Sequence, residues 1–235
     1  MNWGIKGGVI IIGSLLWQNY LNDENDNKRL EWRNSRLDIE NKIPIRIPIR
    51  YGRKSSSKII TMVFSNRMSR KKGVGYVVPL NKTINNSEEL LSECKALSKA
   101  EGLNGKFVAF WGVIAYLLNE EVIEGNVKKE IVKIFKQSKN EQIDILDYKV
   151  GRERSCVTNS LKLNINWVDP IIESDKNKLD KLHFLLATPT KPMNSIPTYE
   201  EIANSVKSDT QRKYFMNNLI NGIITFDDFK ILKYL

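Results

Sequence analysis

One segment constrains the fold more than any other: Lys6-Gly7-Gly8-Val9-Ile10-Ile11-Ile12-Gly13-Ser14-Leu15-Leu16-Trp17. Its β-branched core, Val9 to Ile12, has no polar alternation and reads as a strand buried within the molecule. The run is far short of the ~20 apolar residues a membrane helix needs. It also lacks the small-residue cleavage pattern of a secretory signal. A soluble, cytoplasmic chain without membrane association is therefore expected. A strand that ends in Gly13-Ser14 turns sharply and presents consecutive backbone N–H groups, a candidate anion nest.

The second strong pattern is Ile43 to Tyr51, where every odd position is apolar and the even ones are Pro or Arg. This spacing predicts a strand with one core face and one polar face carrying Arg46 and Arg50. Pro44 and Pro48 place it at an edge or make it irregular. Further strands are expected over 59–64, 74–80, 107–118 and 183–188, with irregular short strands over 146–169. The polar stretch 19–36, with Asp23, Glu24 and Asp26 ahead of Lys28 and Arg29, reads as a surface loop and a short helix. Ser87 is read as the N-cap of a helix running to Glu101, with Glu88 and Glu89 in its first turn and Gly102 as its stop. Val127, Ile131, Ile134 and Phe135 give a further helix its apolar face. Thr198 and Glu201 form a capping box opening a C-terminal helix, with Ile202 and Val206 inward. The expected class is α+β, a small mixed β-barrel with flanking helices and a helical C-terminal extension. Residues 1–125 form the barrel unit, and 126–235 pack on it without being independent.

Charge is asymmetric. Residues 1–86 hold 16 Lys and Arg against 6 Asp and Glu, whereas 87–235 hold 21 against 21. No acid occurs between Asn41 and Ser87, where eleven bases accumulate. Such a stretch is either a solvated face or a positive surface for an anion: nucleic acid, or a small carboxylate or phosphate ligand. Two cysteines, Cys94 and Cys156, and a single histidine, His183, leave little material for disulfide frameworks, zinc clusters or histidine relays. No metal and no cofactor is expected.

The helix ending at Glu101 carries an apolar stripe at Leu90, Leu91, Cys94 and Leu97, and four further residues along that stripe stands Glu101. Two readings are open. The carboxylate faces inward, where burial raises its pKa toward the range of a general base, or it frays into water at the helix end. Glu120-Glu121 and Asp227-Asp228 read as solvated acid pairs, Asp169-Pro170 as a turn and His183 as structural. Trp17, Trp32, Trp111 and Trp167 read as core. Gly73-Val74-Gly75 lacks the spacing of a dinucleotide fingerprint, and no Walker-type loop is present.

Taken in order, the strand into Ile12-Gly13-Ser14-Leu15, the pair Ile49-Arg50-Tyr51-Gly52-Arg53-Lys54-Ser55 and Thr61-Met62-Val63, the strand Val74-Gly75-Tyr76-Val77-Val78, and a helix ending in Glu101-Gly102 resemble the gamma-glutamyl cyclotransferase-like family, its glutathione-specific branch nearest. The resemblance covers the N-terminal half. It departs where the family's tyrosine is Ile12 here and where the gap from strand to glutamate is long. It implies intramolecular acyl transfer on a gamma-glutamyl or related amine-bearing substrate, with Glu101 as general acid and base. It also implies a substrate cradle at Gly13, Ser14 and Leu15, with Ser55 beside it. Arg50, from strand alternation, is a candidate carboxylate clamp. The alternative is a non-catalytic protein that uses its basic 41–87 face for nucleic acid, or its pocket for an anionic metabolite or nucleotide.

Overall fold

The computed structural model describes residues 2–20, 26–139, 144–149, 151–209 and 213–235; Asp23 and Glu24 lie outside them. The strands are β1 (Gly7–Ile11), β2 (Ile43–Ile47), β3 (Ile49–Lys54), β4 (Ile60–Phe64), β5 (Gly73–Pro79), β6 (Val108–Ala109), β7 (Gly112–Val113), β8 (Ala115–Leu118), β9 (Asp169–Pro170) and β10 (Phe184–Ala187). The helices are α1 (Lys28–Arg36), α2 (Ser87–Glu101), α3 (Gly125–Gln137), α4 (Lys176–Asp180), α5 (Tyr199–Ser208), α6 (Lys213–Ile220) and α7 (Asp228–Leu232).

β1 is buried along its whole length, as its unbroken apolar run requires. It lies inside a six-stranded mixed sheet ordered β8-β10-β1-β5-β2-β9. β1 pairs parallel with β10 and antiparallel with β5, in the register Val9 opposite Leu186 and Val78. The sheet curls into a half-barrel; β8 and β9 end the ladder instead of pairing with each other. β10 comes from the second half of the chain yet sits between β8 and β1, so the sheet runs across residue 125. One core cluster likewise joins Ile10, Ile45 and Leu97 to Phe184 and Phe215. The class is α+β.

Several local expectations change. The alternating segment is two strands: the chain breaks at Pro48, sending Ile43–Ile47 into the large sheet and Ile49–Lys54 into a hairpin with β4. Pro48 cannot donate to a ladder, and its carbonyl accepts instead from the amide of Ser65 at 2.9 Å. The stretch 107–118 divides into a tight β6–β7 hairpin and then β8. The N-cap of α2 is Asn86, whose side chain accepts from the amide of Glu89, so Ser87 is the first helical residue. Asp169-Pro170 is a two-residue strand on β2. His183 is structural, its Nδ1 accepting from the amide of Lys6 at 3.1 Å. Asp228 is not solvated: it is buried and accepts from both the amide and the hydroxyl of Thr225. Of the four tryptophans read as core, only Trp32 is fully buried; Trp17, Trp111 and Trp167 pack against the core from its margin. Among the described residues no helix is long and apolar enough to cross a membrane, and no group of three or more His, Cys, Asp or Glu could hold a metal ion.

Candidate functional site

Beyond Ile11 the chain leaves the sheet at Gly13 and enters a 3-10 turn over Ser14–Leu16. The first amides of such a turn have no partner within it and point outward along its axis. Two arginines hold the turn in place. Arg29 of α1 donates from Nε to the carbonyl of Ala100 (3.0 Å), and from a terminal nitrogen to Ser14 Oγ (2.9 Å) and Gln18 Oε1. Arg33, one helical turn on, donates to the carbonyls of Leu15 (2.9 Å) and Gln18 (2.6 Å). Both are buried, and burial, with the charge of Arg29 second, lowers the pKa of Arg33 to about 10. This short helix is thus a buried brace for the turn.

Facing the turn is a cavity of about 680 Å³. Its wall includes Gly13, Ser14 and Leu15 from the turn, Glu101 from the end of α2, and Arg53, Ser55 and Thr61 from the β3–β4 hairpin. Trp17 and Trp111 line it too, and Asp209, Lys213 and Tyr214 close it from the C-terminal part of the chain. Every expected site residue except Arg50 is in this wall. Arg50 is directed elsewhere, 3.8 Å from Glu153, whose other oxygen accepts from the hydroxyl of Ser65 at 2.7 Å.

Glu101 is the last residue of α2, and Gly102 behind it takes the left-handed φ of +90° that ends the helix. As a residue it is partly exposed, yet its Oε2 is sealed from water and has no hydrogen-bond partner among the described residues. Burial pushes its carboxyl pKa up, while the charges of Arg29 and then Arg53 pull the other way. The inward reading of the helical spacing therefore describes this side chain better than the frayed one.

Gly13 owes its identity to a close approach: a Cβ there would lie 2.8 Å from Tyr214 Oη. That hydroxyl also accepts from the amide of Met62 at 3.1 Å, and burial pushes its pKa up. Trp17 packs edge-on against the same ring and donates from Nε1 to Asn218.

Arg53 was not singled out by strand alternation, which extended from Tyr51 would turn it toward the core. The β3–β4 register slips between Tyr51 and Arg53, so that Arg53, and not Gly52, stands opposite Thr61. This bulge brings it onto the face that meets the cavity. Its guanidinium lies over the Trp111 ring, 4.4 Å from the centroid.

The basic stretch is partly neutralised by acids from later in the chain: Lys72 pairs with Asp169, Lys82 with Glu93 and Arg50 with Glu153. Lys42, Arg46, Lys54, Lys58, Arg67, Arg70 and Lys71 remain exposed. Comparison with protein-family models, curated proteins and solved structures gives no match to this chain.

Proposed function

We propose that the cavity is the active site of a gamma-glutamyl cyclotransferase-like enzyme, and that the curled sheet is of that family's type. The observation that carries the reading is the placement of Glu101. A sealed carboxylate with a raised pKa shares one cavity with Gly13, Ser14 and Leu15 of the turn. These are the two elements that lactam-forming acyl transfer requires. The substrate amine attacks its own side-chain carbonyl carbon while Glu101 takes the proton that the amine loses. A C–N bond forms and closes a five-membered ring, and the carbonyl oxygen becomes an oxyanion facing the turn's amides. Glu101 then delivers its proton to the leaving nitrogen as the original C–N bond breaks, releasing a free amine and 5-oxoproline.

Mass spectrometry for 5-oxoproline, after incubation with glutathione and a panel of gamma-glutamyl amides, tests this. Wild type should form product, and Glu101→Gln should lose at least about 10²-fold in rate, the lower end for a general acid–base group, with its fold intact. Undiminished turnover in the variant, or no product from the wild type, refutes the proposal. In the latter case a pocket that binds an anionic metabolite without converting it becomes the better reading. A nucleic-acid role rests on the seven exposed bases of residues 42–71, and predicts binding that weakens steeply with salt.

A further inference from the structure

The proposed reaction employs Glu101 and the turn, but not the most polar group of the opposite wall. Arg53 forms no hydrogen bond or ion pair through its guanidinium among the described residues, and it stands half-buried in the cavity wall. A guanidinium in a pocket wall with no protein partner has its donors free for an arriving anion. The Trp111 face beneath it restricts where its guanidinium can go before any ligand binds. Burial lowers its pKa, opposed first by the charge of Glu101. Other cations around the cavity are committed or differently disposed. Arg29 spends its donors on Ala100, Ser14 and Gln18, and Lys213 is an exposed residue at the rim. Asp209, the other acid of the wall, accepts from the amide of Tyr214.

We propose that Arg53 is the specificity-determining residue of the cavity, selecting amine-bearing acyl substrates that carry a carboxylate. The inference rests on the catalytic reading above. A carboxylate matches the fork with two parallel N–H···O bonds, which a neutral amide cannot. It can come from either end of a gamma-glutamyl substrate: the carbon that bears the attacking amine, or the leaving amine.

Three substrates separate these sources: gamma-glutamylglycine with both carboxylates, gamma-glutamylmethylamide with only the first, and 4-aminobutyrylglycine with only the second. Lactam formation is followed for wild type, Arg53→Gln and Arg53→Lys. The readout is the ratio of kcat/KM between a substrate with the relevant carboxylate and its counterpart without it. Loss of one charge-assisted pair corresponds to about 10- to 100-fold, so this ratio should fall by that factor in Arg53→Gln and only in part in Arg53→Lys. The substrate pair whose ratio collapses names the carboxylate. Equal wild-type rates on all three substrates, or a uniform fall in Arg53→Gln that leaves every ratio unchanged, overturns the role of Arg53 while leaving Glu101 chemistry standing. Absence of lactam from every substrate overturns both.

Discussion

Replacing Arg29 with Met tests the brace beneath the site, because methionine keeps an unbranched apolar stem and removes the guanidinium with its donors and charge. Arg29 is 6% exposed, so its three hydrogen bonds are nearly unscreened by water. Each bond to a charged group contributes about 1.5–3 kcal/mol net, but the three share one side chain and do not add. Their loss leaves the Ala100 carbonyl, Ser14 and Gln18 without this donor. The expected cost is about 2–4 kcal/mol, since each neutral acceptor left without its donor costs about 1–3 kcal/mol and the three do not add in full, against a typical total of ~5–15 kcal/mol. The variant should fold, with its melting temperature lowered on the order of 10 °C. Urea unfolding should show a lower midpoint at unchanged slope. A second readout separates this from plain destabilisation. Arg29 is the leading positive influence on Glu101, so without it the ionised carboxylate is less favoured and its pKa rises further. For the proposed reaction, the acid limb of its kcat/KM–pH profile should then move to higher pH. A loss below about 1 kcal/mol would refute the bracing argument, given the net worth of even one such bond. An acid limb that stays in place would refute the coupling.

Two other outcomes follow from the same geometry. Gly13→Ala puts a Cβ 2.8 Å from Tyr214 Oη; displacing that ring should cost about 1–3 kcal/mol, as overpacking does, and should lower kcat, whereas wild-type stability by thermal melting would contradict the contact. Asp228 is buried and its pKa is pushed up to about 6, chiefly by burial. Between its unfolded value near 4 and about 6 the native state holds more protons than the unfolded chain, so this group's contribution falls as pH rises through that window. Wild type should lose up to about 3 kcal/mol from this group between pH 4 and pH 7; Asp228→Asn should flatten that slope in urea titrations, and an unchanged slope would remove Asp228 as its source.

What was legible in the sequence is what local spacing controls. Val9 to Ile12 reads as a buried strand, and Val9 to Ile11 lie in β1, whose exit through Gly13-Ser14 makes the turn. Helical spacing of four from Leu97 placed Glu101 on the inward side, where the cavity is. The illegible parts depend on distant or exceptional geometry. Asp209, Lys213 and Tyr214 reach the cavity from about a hundred residues beyond Glu101, and nothing in their local pattern marks them. Arg29 and Arg33 sit in a helix whose composition is that of a solvated one; the sign of their burial is only their spacing of four on the side of α1 that also buries Trp32. The arginines of β3 make the limit sharpest. Alternation puts Arg50 on the polar side of the strand, but the position along the strand decides the partner, and there a largely buried Glu153 meets it. Arg53 would have been turned inward by the same alternation, and one extra residue in the ladder reverses that. A single bulge at Gly52, invisible to a period of two, thus determines which guanidinium faces the cavity and leaves the other to an ion pair.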